Sequence, residues 1–295
     1  MRVASATWPL EWHPDWRSYA RKVEDWIAGC KADLAVFPEY AGMEGCLIAP
    51  PPRDTPQDWV DHATAVADRV RDLHAGLAHR HGRHILTGSL PVETDAGVVN
   101  RAWLIAPDGS VAWQDKQIPT PYERAHTALI PGDPLRVFDT ALGRIGVLIC
   151  HDAEFPLLAR AQDCEVLLIP ACTDAPHGAA RVRNAARARA LEGACVTVLS
   201  QTVGDVAGCC FLDTNRSGAG IFAPPDRGFP DYGILAELSP DEPGWARANV
   251  DQEALARLRE GRGEVAIPLD WPMSEGRETA ATVPLGITSA SGAAP

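Results

Sequence analysis

Residues 144–156 read RIGVLICHDAEFP. From Ile145 to Cys150 every residue except Gly146 is apolar, the pattern of a short strand covered on both faces. The character then changes at once: Cys150 is followed by His151, Asp152 and Glu154 before Pro156 closes the run. A buried strand that delivers a thiol into a polar cluster marks a strand end facing a crevice, where open α/β sheets bind their ligands.

Working outward, comparable runs occur at RVASATW (2–8), ADLAVFP (32–38), HILTGSL (84–90), RAWLIAP (101–107), EVLLIP (165–170), ACVTVLSQTV (194–203) and GAGIFAPP (218–225). Helical periodicity lies between them at 15–29, 57–81, 155–163, 178–192 and 251–260. In the 57–81 stretch, Val60, Ala63, Ala67, Val70, Leu73 and Leu77 recur at steps of three to four or so, which predicts one long amphipathic helix. The segment PDGSV (107–111) reads as a turn between two strands. This repeated β-then-α order predicts an α/β fold with a largely internal sheet system. From about residue 263 the composition shifts to Gly, Pro, Ser, Thr and Ala, so the expectation is one domain over 1–262 and an extended tail over 263–295.

A net charge of −12 argues against nucleic acid or an anionic membrane surface as a partner. No stretch approaches the roughly 18 apolar residues of a membrane span. The N-terminal MRVASATWPLEW lacks the long apolar run of an export signal, so a cytoplasmic location is expected. The eight cysteines form no CxxC pair and no compact Cys/His set, so reduced thiols and no metal are expected.

Three chemically distinct residues close β-like runs: Glu39 after DLAVFP, Lys116 after SVAWQD and Cys150 after RIGVLI. Taken singly, each is ordinary; a loop glutamate or lysine is usually solvated and a strand-end cysteine usually packs in a core. Brought together, their chemistry is complementary. A thiol with a pKa near 8.5 is a few per cent thiolate at neutral pH and needs a base, which Glu39 offers. Lys116 would favour the thiolate and stabilise charge developing on a substrate oxygen, with the backbone amide of His151 as a second oxyanion donor.

The stretches VFPEY (36–40), WQDKQIPTPYE (113–123) and GVLICHDAEFP (146–156) resemble the three signature blocks of the nitrilase superfamily, the carbon–nitrogen hydrolases. The likeness continues in order through EVLLIPACT, RARALEGACVTVLSQTVG, GAGIFAPPDRGFPDYGILAEL and WARANVDQEALARLR, so it covers about residues 1–262. It implies that Glu39, Lys116 and Cys150 are base, oxyanion stabiliser and nucleophile, and that Glu123 orients the lysine and the substrate. It further implies a four-layer α-β-β-α sandwich, a thioester intermediate hydrolysed by water, homodimers or larger assemblies, and no metal or organic cofactor.

Within that reading, Tyr40, Tyr122, Thr173, Asp174 and Arg181 are the candidate substrate contacts, Arg181 for a substrate carboxylate or else for the acidic surface. Asp152 and Glu154 are expected to fix the turn and pair with arginines such as Arg187 or Arg189. His151 is expected to be poorly placed to act on Cys150, because adjacent strand residues point to opposite faces. A small-molecule amidase is the first expectation. The alternatives are N-carbamoyl amine hydrolysis or a nitrilase and, in another class, a non-catalytic protein that binds an amide metabolite. The dimer face is expected on helices 155–163 and 178–192, with Asp270-Trp271-Pro272 anchoring a tail that crosses to the neighbour.

Overall fold

A computed structural model describes residues 1–48, 55–132 and 134–265. The expected tail anchor at 270–272 lies outside the described residues.

The strands, in chain order, are β1 (Arg2–Pro9), β2 (Leu34–Val36), β3 (His84–Leu86), β4 (Leu90–Thr94), β5 (Gly97–Ile105), β6 (Val111–Asp115), β7 (Val137–Thr140), β8 (Gly143–Val147), β9 (Val166–Ala171), β10 (Val196–Asp205), β11 (Thr214–Asn215), β12 (Gly220–Phe222), β13 (Ile234–Glu237) and β14 (Gly244–Asn249). One sheet runs β6-β5-β3-β2-β1-β14, with β4 beside the start of β5, and the other runs β7-β8-β9-β10-β12-β13. They meet where the second half of β1 pairs with the second half of β10, Thr7 opposite Gln201 and Pro9 opposite Val203.

Alternation along the strands separates two cores. Val3, Leu34, Val36, Leu86 and Leu104 face inward with Val147, Ile149, Val166 and Leu168 of the second sheet. Their neighbours Ala4, Ala35, Phe37, Ile85 and Trp103 face outward, into a cluster with Tyr19, Val23 and Ile27 of α1 (Trp16–Cys30) and Val70 and Leu77. On the second sheet, α6 (Pro176–Gly193) turns Val182, Ala186 and Ala190 onto β9 and β10. The result is the expected four-layer α-β-β-α sandwich.

The predicted helix over 57–81 is two helices, α2 (Pro56–Thr64) and α3 (Ala67–His81). The apolar spacing continues across the break, but the halves serve different surfaces. Trp59 and Val60 of α2 are buried where that helix packs on β4 and on the turn Ala41–Cys46, whereas α3 packs on α1 and β5. Periodicity records a buried face and not its direction, so it could not show this bend. Two short helices, α4 (Pro121–His126) and α5 (Pro156–Gln162), complete the surroundings of the site, and α7 (Gln252–Arg257) follows β14.

Strand direction gathers the functional candidates. β2 and β3 run parallel to β1, β8 and β9 parallel to β10, and β1 parallel to β10. Two antiparallel steps, β3 to β5 and β5 to β6, return β6 to the same direction. The C-terminal ends of β2, β6, β8 and β9 therefore open on one edge, which brings together Glu39, Lys116, Cys150 and Cys172.

Candidate active site

Local turns set Cys150, Glu39 and the neighbouring Glu123. Cys150 has φ +73°, a left-handed conformation that costs a non-glycine residue free energy. It opens a 3₁₀ turn over Cys150–Glu154. Tyr40, directly after Glu39, is also left-handed at φ +58°, and its amide donates to Ser89 Oγ at 3.1 Å. Gly88 makes this possible: a Cβ there would lie 2.6 Å from Gly42 N, so a side chain would push the Glu39 turn away. Thr120 and Glu123 form a reciprocal capping box with Pro121 at the first helical position, which fixes Glu123 on α4.

The charged groups meet at hydrogen-bond distance. Lys116 Nζ donates to Glu39 Oε1 at 2.7 Å and to Glu123 Oε1 and Oε2 at 2.8 and 2.9 Å. All three side chains are at most 3% exposed. Glu39 Oε1 also accepts from Asn100 Nδ2 at 3.0 Å, while Oε2 accepts from the Cys172 amide at 3.1 Å. The Cys150 thiol interacts with the Glu39 carboxylate and donates to Cys172 O at 3.6 Å.

Electrostatics sort the protons. Burial opposes the charge on Lys116, but Glu39 and Glu123 outweigh it and hold the ammonium well above its usual range. Burial would raise Glu123, yet Lys116 and hydrogen bonds from Lys116, Tyr40 and Thr120 bring it below the ordinary glutamate value. Glu39 is raised, because burial exceeds the relief from Lys116 and Glu123 adds repulsion. Burial, and then the Glu39 charge, lift Cys150 well above a free thiol, so the resting sulfur is protonated.

These groups line a cavity of about 510 Å³. The expected substrate contacts Tyr40, Tyr122, Thr173, Asp174 and Arg181 all line it, as does His151. Tyr40 is already committed, its hydroxyl donating to Glu123 Oε1 and its ring 4.9 Å from that of Phe211. Arg181 lies 3.5 Å from Glu154, whereas Arg183 is taken up by Glu237. His151 reaches the same cavity as Cys150 because these residues form a turn and not a strand, so alternation does not separate them. Its Nδ1 lies 3.5 Å from Glu154 and its ring packs on Phe155.

The arginine partners expected for Asp152 are not the ones found. Asp152 accepts from three backbone amides: Gln117 N at 3.0 Å, Ile118 N at 2.8 Å and Ile149 N at 3.3 Å. It thereby ties the segment after Lys116 to the turn that carries Cys150. Arg189 supports that turn through Ala153 O and pairs with Glu192, and Arg187 reaches Tyr232 O. Amides were the nearer partners for a carboxylate inside a turn, and sequence spacing carries no sign of them. Asn100 and the Cys172 amide were also missed; the first is one polar residue within a strand and the second is backbone.

Burial outweighs the three amides and raises Asp152 to about 7. A raised folded-state pKa means that the protonated carboxyl is favoured by folding. Its stabilising contribution is complete below the ordinary value of 3.8 and is lost as pH rises through about 7. Asp152→Asn keeps one acceptor and sets an NH₂ against the remaining amide, at an expected cost of about 1–3 kcal/mol at pH 5. Thermal melts of both proteins should show this deficit shrinking between pH 5 and pH 8; a constant gap would contradict the assignment.

The family model for carbon-nitrogen hydrolases matches residues 2–260. The probable hydrolase YhcX of Bacillus subtilis is 34% identical over 248 residues, 82% of this chain but 48% of that protein, so the chain spans about half of its length. The deaminated glutathione amidase of Synechocystis is 28% identical over 218 residues, 68% of this chain and 76% of the relative. Among solved structures, the CN-hydrolase superfamily protein XC1258 of Xanthomonas campestris superposes with a TM-score of 0.71 at 20% identity, covering 88% of this chain and 94% of the other. An amidase of Nesterenkonia AN1 does so at 0.65 and 22%, covering 88% and 95%. At those identities the superpositions speak for the fold alone.

Proposed function

The chain belongs to the carbon-nitrogen hydrolase family, and from that premise we propose that it is an amidase cleaving a small-molecule amide through a thioester on Cys150. The observation that carries this reading is the contact of one buried lysine with two buried carboxylates beside a protonated thiol in a single cavity.

The proton inventory gives the order of events. Cys150 is neutral at rest, so its proton passes to Glu39 as sulfur attacks the amide carbon. The raised pKa of Glu39 makes it a stronger base for this transfer than an ordinary glutamate. The tetrahedral oxyanion is held by the Lys116 ammonium and the His151 amide; one such donor is typically worth about 10²–10³ in rate. Collapse breaks the C–N bond while Glu39 returns the proton to the leaving amine. Water then adds to the thioester, giving its proton to Glu39, and the C–S bond breaks with that proton passing to sulfur. Glu123 keeps Lys116 aimed, and Tyr122, Thr173, Asp174 and Arg181 meet the rest of the substrate.

Intact mass spectrometry across short amides, ω-amides, N-carbamoyl amino acids and nitriles tests the reading. An amidase shows one acyl adduct at Cys150 with amides and releases the amine. No adduct and no turnover across the panel would remove it. Cys210 is exposed, so alkylation experiments require the Cys210→Ser background.

Glu39 must be ionised to accept the proton. Because burial raises its pKa, the acidic limb of kcat/KM is expected above the ordinary glutamate value of 4.5. Glu39→Gln should abolish turnover and slow iodoacetamide alkylation of Cys150 near pH 7; undiminished alkylation would deny Glu39 the role of base.

A further inference from the structure

The catalytic cavity shares a wall with a second one, of about 530 Å³. Helix α6 faces both: Gly178, Arg181 and Val182 line the first, while Ala179, Ala180 and Arg183 line the second. The segment around β11 is shared in the same way. Arg216 belongs to the second cavity, and its amide and carbonyl are bonded to Thr173 O and Thr173 Oγ1, both at 2.9 Å, on the catalytic side.

The deepest residue of the second cavity is Gln201 on β10, which is 1% exposed. Its Oε1 accepts from Gly218 N at 3.3 Å, and its Nε2 has no hydrogen-bond partner. This amide orientation is fixed, since turning it over would set two donors against each other. A buried donor without a partner is costly and calls for an acceptor. One water is small beside this space, and the walls offer it little, being largely the apolar faces of Ala179, Ala180, Leu238 and Pro240.

The charged groups of the lining already have partners. Its two cations are spoken for, Arg183 by Glu237 and Arg216 by Asp205. Of its two carboxylates, Glu237 holds Arg183 and Asp241 accepts from Ser217 N at 3.0 Å. A charged ligand would compete with these pairs, whereas an uncharged acceptor would complete Gln201 without disturbing them. We propose that this cavity is a second small-molecule site, for a neutral carbonyl compound whose oxygen accepts from Gln201 Nε2 and whose apolar body lies along Ala179 and Ala180 of α6.

The test uses the full chain in the Cys210→Ser background, with Cys150 alkylated so that the catalytic cavity is closed. Hexanamide is the probe, with hexanoate and hexylammonium as charged controls matched in length, and binding is followed by ligand-observed NMR. Hexanamide should bind saturably at one site and at least about tenfold more tightly than either ion. Gln201→Leu should weaken it by about tenfold, the discrimination one good hydrogen bond provides. Ala180→Trp, on the outer face of α6 where the dimer contact is also expected, should abolish it by filling the space without touching the core, with sedimentation showing the parent's oligomeric state. Absence of saturable binding, equal binding of the two ions, or insensitivity to both substitutions would overturn the proposal. None of these outcomes depends on turnover at Cys150.

Discussion

Cys150→Ala is expected to reduce amide turnover by at least about 10⁴-fold while leaving the fold intact. Deleting the nucleophile of a covalent mechanism removes the path and not merely a contribution to it, and losses on the order of 10⁶ are known where nucleophile and base act as a unit. The structural cost is small by comparison. Only the sulfur of Cys150 is lost, and alanine at φ +73° meets the same backbone strain that cysteine already tolerates. The melting temperature should therefore stay within a few degrees of the parent, with no acyl adduct detected by mass. Steady-state turnover above about one per cent of the parent would require a water-attack mechanism and would end the thioester reading.

How much of this could be read from residues alone depends on which signal each residue leaves. Cys150 was legible because a five-residue change from apolar to polar is abrupt, and Glu39 and Lys116 because each follows a β-like run. Their convergence was legible from resemblance and physically rests on strand direction, two antiparallel reversals returning β6 to the heading of β2. Asn100 left no trace, for two polar residues in VVNRAW, Asn100 and Arg101, are normal in a half-buried strand. Helix α4 was too short to show periodicity, yet Thr120-Pro121-Tyr122-Glu123 carries the capping-box spacing that would have found it. The partners of Asp152 and the inner face of Gln201 depend on chain crossings that local pattern does not encode.

Lys116→Met is expected to fail in two ways at once, and the pair separates a catalytic lysine from a merely structural one. In the parent, one ammonium neutralises Glu39 and Glu123 at 2.7 and 2.8 Å. Methionine fills a similar volume but leaves two buried carboxylates facing each other without a cation. Breaking a buried pair on one side typically costs about 3–5 kcal/mol, enough to lower the melting temperature by several degrees. The carboxylates respond by taking up protons, so their folded-state pKa values rise. Such groups add stability at low pH and lose it as pH rises, which makes the deficit against the parent largest above neutrality and smaller toward pH 4. Turnover should fall by several orders of magnitude even where the variant is fully folded, because the oxyanion loses its cation and Glu39 becomes protonated at working pH. The acidic limb of any residual activity should move upward relative to the parent. A variant as stable as the parent at pH 8 would show that Lys116 does not hold the two carboxylates, and a defect lying wholly in KM would show that it does not meet the developing charge.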